Sequence, residues 1–235
     1  MSHNQEALQK IAENSLYAQG VSRAMVEYSF DVFARHLHKG RVLELGPAEG
    51  VMTDLFVKLG SDLTVVEGAK KFCEDLAKRY PSIQVHHALF EDFQVDKKFE
   101  NIVLGHVLEH VDNPVAVLKH VKQFLKKGGV MLAAVPNAHS IHRQAAVEMG
   151  LLKKENSLNE LDIHHGHKRV YSLTEIQRDF RQAGLKIKKT SGYWLKPVSN
   201  KQIDETWTPE MIRVFMKLGE KYPEISAEIF IVATV

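Results

Sequence analysis

A doubly wound α/β domain with a seven-stranded, mostly parallel sheet is predicted by three features of this 235-residue chain. Seven strand-like segments recur along it, and helix-like segments separate most of them, which implies parallel pairing through crossover helices. The segments at 42–45, 102–104 and 130–135 are almost wholly apolar, as strands covered on both faces are. The first of them runs straight into a glycine-marked turn, ELGPAEG (44–50), where open α/β sheets bind ligands.

Each element has its own signal. Residues 5–38 carry Ile11, Leu16, Met25, Val26, Phe30, Phe33 and Leu37 at helical spacing, which predicts one or two helices with a break at 20–22. Strands follow at 41–46 and 63–68, separated by a helix over 50–59 that stops at Gly60. A helix over 69–80 stops at Pro81, and strands come at 83–89 and 99–106. Asp112, Asn113 and Pro114 open the next helix, with proline tolerated in the first turn, and Gly128 and Gly129 are expected to end it. A fifth strand covers 129–136, a helix 173–183, and strands 185–194 and 227–235 complete the set. One domain, 1–235, accommodates all of this: a helical cover (1–39), a core (40–136) and two insertions at 137–172 and 195–226. Long insertions in a compact domain are usually lids or binding loops.

Composition narrows the function classes. The chain is 44% hydrophobic and 26% charged with net charge +2, ordinary for a globular protein. Lys186, Lys188 and Lys189 read as a solvated strand edge, so no nucleic-acid partner is expected. The polar N-terminus has no signal-peptide core, and no run approaches the ~20 apolar residues of a membrane span. The lone Cys73 points to a reducing compartment, and a cytoplasmic protein is expected. The sequence is also compatible with a homodimer.

The turn after the first strand selects a cofactor class. Gly46 and Gly50 permit a tight bend and close approach of a ligand to the backbone. A dinucleotide turn reads G-x-G-x-x-G and seats a pyrophosphate on the helix N-terminus. Here Pro47 lacks an amide hydrogen and Glu49 is anionic, so a cationic ligand fits better. At this point the chain resembles the class I S-adenosylmethionine-dependent methyltransferases of Rossmann-like fold, over about residues 40–136. The resemblance implies S-adenosylmethionine as cofactor. It assigns Glu44, Gly46, Pro47, Ala48 and Gly50 to the first turn, with Ala48 where the family often has a third glycine. Glu67, followed by Gly68, would take the ribose hydroxyls, a task that suits a two-oxygen acceptor. Leu89, Phe90 and Glu91 would lie beside the adenine, with Leu89 where the family often has Asp. Gly105, His106 and His110 belong to GHVLEHVDNP (105–114), close to the family's LEH-V-x-x-P pattern. Tyr17 and Tyr28 would close over the methionine end of the cofactor, although helix packing explains either tyrosine as well.

Methyl transfer requires alignment of acceptor and methyl, and a hydroxyl acceptor must also lose a proton. Histidine does this near neutral pH. The stretches PNAHSIHR (136–143) and HGHKRVY (165–171) resemble segments that close the substrate pocket in ubiquinone-type small-molecule methyltransferases. His167 is the first candidate base, followed by His165 and His106. His139, His142, Arg143, Arg169, Tyr171, Lys196, Asn200 and Trp207 are candidates for contacting a small-molecule methyl acceptor. Arg suits two-point recognition of a carboxylate or phosphate. Two histidines around Gly166, with Asp162 near, also have a metal-binding look, but the Asp-rich pattern of metal-assisted catechol enzymes is missing and no metal is expected. O-methylation of a small molecule is favoured over N-methylation. Methylation of a peptide or protein carboxylate and a noncatalytic cofactor-binding role are the alternatives.

Overall fold

The structure is a computed structural model that describes residue 9 and residues 11–235. Residues 1–8 and 10, which include the start of the helix expected over 5–38, lie outside the described residues. Helix α1 (Gly20–Ala34) begins at the glycine expected to mark a break. Gly20 has φ 49°, and the Val21 amide donates to Asp204 Oδ1 at 2.7 Å, so an acid from a later insertion satisfies an orphan amide at the helix start.

The alternation then proceeds through β1 (Val42–Leu45), α2 (Val51–Lys58), β2 (Leu63–Glu67), α3 (Lys70–Arg79), β3 (Gln84–His87), β4 (Phe99–Gly105) and α4 (Pro114–Val121). The Asn113 side chain accepts from the Ala116 amide and Pro114 sits in the first turn, as the sequence predicts. β5 (Leu125–Pro136) starts earlier than expected. Gly128 and Gly129 do not end the helix but form an irregularity inside the strand, where pairing jumps from Phe99↔Leu125 to Asn101↔Val130. Gly128 has φ 81°, and a Cβ on Gly129 would meet the Glu100 carbonyl oxygen at 2.8 Å, so glycine is required there.

The chain continues through α5 (Ile141–Glu148), α6 (Glu160–His164), α7 (Leu173–Gln182), β6 (Lys186–Tyr193), α8 (Asn200–Thr206), α9 (Pro209–Gly219) and β7 (Glu228–Thr234). The strand order is β3-β2-β1-β4-β5-β7-β6, with β7 antiparallel to both neighbours. Both faces are buried. Leu43, Ile102, Leu104, Met131 and Ala133 pack on one side, and Val42, Val65, Val103, Leu132 and Ala134 on the other. Alternation at period two thus serves two cores, which is why these strands carry almost no polar residues. The polar β6 is the edge strand, with Lys186, Lys188 and Lys189 exposed.

β1 has β2 on one side and β4 on the other, so the strand order reverses there and the crevice opens beyond their carboxyl ends. The two insertions meet above that end. The Asn137 side-chain amide donates to the carbonyls of Glu224 (3.1 Å) and Ser226 (2.8 Å), and the Ile141 amide donates to Ile225 O (2.9 Å). The lid is therefore stitched to itself across some ninety residues of sequence, which is a tertiary product that strand and helix signals do not encode.

Candidate active site

The turn after β1 is built from backbone. Gly46, Ala48 and Gly50 have φ of 64°, 49° and 81°, three left-handed residues at alternate positions that bend the chain tightly after β1. A Cβ on Gly46 would stand 2.9 Å from Val107 Cγ2 and 3.4 Å from Phe90 Cζ. Glu67, at the end of β2, is 7% exposed and accepts from the amides of Ala69 (2.8 Å, Oε1) and Ala48 (3.2 Å, Oε2). Burial raises its pKa while these amides oppose the rise. Each oxygen keeps a lone pair for a hydroxyl. Glu49 Oε2 is buried beside this turn with no hydrogen-bond partner among the described residues. A cradle cut to glycine, a carboxylate at the next strand end and an unpaired acid together fit a cationic nucleoside such as S-adenosylmethionine. Gly68 follows Glu67, Phe90 faces Gly46, and Gly105 ends β4 against Met52, where a Cβ would meet Met52 Cε at 3.0 Å. Leu89 and Glu91 flank Phe90, the first half-buried and the second exposed. Glu44 is 2% exposed and takes a hydrogen bond from Thr53 Oγ1 at 2.7 Å. Burial pushes its carboxyl up to about 8, with the Thr53 bond opposing and Glu67 adding to the rise.

Beyond β4 a cavity lies under the lid, lined among others by Tyr17, His106, His165, His167, Lys196 and Glu228. His106 holds its φ at 59° and points into a set of polar groups that four elements bring together. Its Nε2 is 3.2 Å from Ser29 Oγ and 3.3 Å from the Tyr193 hydroxyl. Its Nδ1 is 3.7 Å from both Glu109 Oε1 and Glu228 Oε2. Burial lowers its pKa, but the two carboxylates outweigh burial and leave the imidazole above its ordinary value. Burial lifts Glu228, against the opposing charges of His106 and Lys196; burial depresses Lys196, against those of Glu228 and Asp162. At 3.7 Å the His106–Glu109 contact is too long for a hydrogen bond.

The other histidines differ from His106 and from each other. His167 Nδ1 lies 3.2 Å from Asp162 Oδ1. His165 stacks on Tyr17 at 4.5 Å between ring centroids, and no hydrogen bond reaches its ring nitrogens among the described residues. Burial, with His167 and His164 close by, lowers it to about 4. His110 is also lowered to about 4, chiefly by burial, and its Nε2 is 3.2 Å from the Tyr17 hydroxyl. His142 lines the cavity with Nδ1 buried and unpartnered. Several other lining atoms share that state: both Glu109 oxygens, Glu228 Oε2, Trp194 Nε1 and Asn200 Oδ1. Buried polar atoms without partners are costly in a finished core, so this concentration marks a place shaped for a ligand.

The cavity gathers Tyr17, His106, His142, Lys196 and Asn200 as expected contacts, but other candidates stand elsewhere. Arg143 lines the wall, yet its guanidinium is spent on Glu155 O (2.6 Å), Asp162 Oδ2 (3.0 Å) and Ser157 O. Arg169 is not at the cavity: it donates to Leu108 O (2.8 Å) and Asp112 O (3.1 Å), clamping the turn after β4. Tyr171 is 2% exposed within the core and reaches Asp179 at 3.2 Å. His139 is solvent-facing and paired with Glu155. Trp207 packs on Phe215 at 4.6 Å between centroids. In each case a folded-state partner within the chain claims the polar or aromatic group. A second groove is lined by Arg169, Glu175 and Arg178 and shares no lining residue with this cavity. Conversely, Ser29, Glu109, Tyr193 and Glu228 were not singled out for the site. Glu109 stood in view beside His110, and Glu228 is the one charge in the apolar run AEIFIVATV (227–235). Ser29 and Tyr193 carry no sequence signal. Where no metal was expected, ligand atoms of Glu109, His110 and His167 come within 4.8 Å of one another.

Sheet order, glycine cradle and acidic strand ends define a nucleoside-binding α/β enzyme of the methyltransferase type. Residues 13–190 match the family model described as a methyltransferase domain, more than half of the chain, and the chain belongs to the class I S-adenosylmethionine-dependent methyltransferases. S-adenosylmethionine is its methyl donor. A ubiquinone biosynthesis O-methyltransferase of Xanthomonas euvesicatoria is 25% identical over 177 residues, which cover 68% of this chain and 69% of that protein. An uncharacterized protein of Methanocaldococcus jannaschii is 31% identical over 107 residues, 45% of this chain and 49% of that one. Among solved structures, a possible histamine N-methyltransferase of Thermotoga maritima superposes with TM-score 0.65 at 18% identity, covering 94% of this chain and 93% of the other. A glycopeptide N-methyltransferase complexed with S-adenosyl-L-methionine does so with TM-score 0.61 at 15% identity, covering 93% and 88%. No helix among the described residues is long and apolar enough to cross a membrane.

Proposed function

We propose that the chain methylates an oxygen of a small molecule held in the cavity under the lid. Enclosure carries this reading: the cavity takes walls from α1, the turn after β4, both insertions and the start of β7. A peptide or protein acceptor needs an open groove. The similarity to relatives named O-methyltransferases supports oxygen over nitrogen. The buried free Cys73 supports work in a reducing compartment such as the cytoplasm.

When bound, S-adenosylmethionine supplies an electrophilic methyl group on a sulfonium leaving group. The chain's own residues align the acceptor and take its proton. His106 lies between two carboxylates and Asp162 stands beside His167, while His165 lines the cavity with no hydrogen bond to its ring nitrogens among the described residues; we assign it the acceptor's proton. With the donor bound, His165 would take the proton of the acceptor hydroxyl as that oxygen accepts the methyl group from the sulfonium. Asn200 Oδ1 and Trp194 Nε1 offer an acceptor and a donor for the substrate's other polar groups.

A panel of small phenols and hydroxy acids, set against carboxylate-bearing peptides, tests this with S-adenosylhomocysteine release as readout. Turnover with members of the first set alone is expected. Turnover confined to peptides would overturn the reading.

A further inference from the structure

We propose that Glu109, His110 and His167 form a site for one divalent transition-metal ion, zinc first, on the wall of the acceptor cavity. Glu109 and His110 lie in the turn after β4, and His167 comes from the end of the first insertion, so the site exists only when the lid is folded over the sheet. Their ligand atoms lie within 4.8 Å of one another. Ligands at about 2.0–2.1 Å from a tetrahedral zinc stand roughly 3.4 Å apart, so side-chain rotation alone closes the set.

Independent observations point to a ligand there. Glu109 is 0% exposed, and neither of its carboxylate oxygens has a hydrogen-bond partner among the described residues. The nearby His106 at 3.7 Å is shared with Glu228, so it balances charge without satisfying the oxygens. A fully buried carboxylate lacking any donor is otherwise a costly feature, and a cation removes that cost. His167 Nδ1 stands 3.2 Å from Asp162 Oδ1 without making an aligned hydrogen bond, so a carboxylate lies where it can brace a metal-binding imidazole. Asp162 itself is fixed by Arg143 at 3.0 Å and by the Asn159 amide at 2.9 Å. The buried Arg143, expected to touch the acceptor, thus braces a metal ligand at one remove.

The donor set decides the ion. Two imidazoles and one carboxylate suit zinc and its transition-metal neighbours, whereas magnesium and calcium prefer sets of oxygen atoms. Three protein ligands leave a fourth position open, and Glu109 and His167 both face the cavity, so that position belongs to the acceptor. A hydroxyl bound there releases its proton more readily and is held in one orientation. This catalytic role rests on the methyl-transfer reading above; the binding of the ion does not.

The test starts from the full chain stripped with a chelator and titrated with zinc by calorimetry, with magnesium in parallel. One zinc per chain is expected, together with a visible cobalt spectrum of low-symmetry, four-coordinate type and a raised melting temperature. Glu109→Gln and His167→Ala should abolish stoichiometric zinc binding, and Asp162→Asn should weaken it roughly 10–100-fold. His139→Ala, on the surface, should leave it unchanged. S-adenosylhomocysteine binding by each variant reports that the fold and donor site persist. Absence of zinc binding to the stripped wild type, zinc binding indifferent to Glu109→Gln and His167→Ala, or a preference for magnesium would each overturn the proposal. Full turnover of the stripped, zinc-free enzyme would overturn the ion's catalytic role while the methyltransferase reading stood.

Discussion

The donor end and the acceptor end of the crevice are made differently. The donor end is backbone: three left-handed residues within five positions, a glycine with no room for a Cβ, and a carboxylate held by two amides. The acceptor end is side chain: imidazoles, carboxylates, a lysine and a tyrosine carried in from the segment before α1, the β4 turn, both insertions and β7. The first is a local property of consecutive residues and tolerates no change of shape. The second is a convergence of distant residues, and its chemistry can change with single substitutions while the donor site remains. Such a division lets one cofactor cradle serve many acceptors.

Three substitutions separate the two ends. The largest effect is expected from His165→Ala at the acceptor end, where turnover should fall about 10²–10⁴-fold. Donor affinity, measured by calorimetry with S-adenosylhomocysteine, should stay within a factor of a few. Equal losses in both quantities would dissolve the distinction between the ends.

Next comes Glu44, beneath the donor turn, whose carboxyl is raised from 4.5 to about 8 by burial. A raised acid is stabilising in its protonated form. Its contribution is therefore complete below about pH 4.5, declines as the unfolded chain ionises first, and is gone by about pH 8. The span is on the order of 5 kcal/mol. Urea melts of wild type and Glu44→Gln across that range should converge in slope only above pH 8, with the variant the flatter of the two. Parallel curves throughout would show that Glu44 ionises normally.

The smallest is Gly46→Val. Valine at φ 64°, with its Cβ 2.9 Å from Val107, should cost about 1–3 kcal/mol, read as a roughly 5–150-fold weakening of donor binding. The acceptor cavity should keep its zinc affinity. Donor binding retained at wild-type strength would mean the cradle is looser than its backbone indicates.

The contrast also explains what was legible beforehand. Strand placement, the glycine turn and Glu67 follow from short-range patterns, and the structure puts them at the same strand ends. The start of β5 was misjudged because Gly128 and Gly129 look like a helix stop, and only pairing with β4 shows that they form a bulge. Arg143, Arg169 and Tyr171 look like ligand contacts in sequence because nothing local reveals the carbonyls and carboxylates that occupy them. Ser29 and Tyr193 reach His106 from positions with no motif at all.

By itself the sequence determined the two-sided apolar sheet, the glycine-bounded bend after β1 and the acid that closes β2, because periodicity, conformational freedom and a strand end are properties of neighbours in the chain. Only the tertiary structure decided which histidine is clamped, which is flanked by carboxylates and which is open. That depends on Asp162, Glu109 and Glu228, from three separate segments, meeting the imidazoles in space. Electrostatic partners act over a few ångströms, whatever the sequence distance between them.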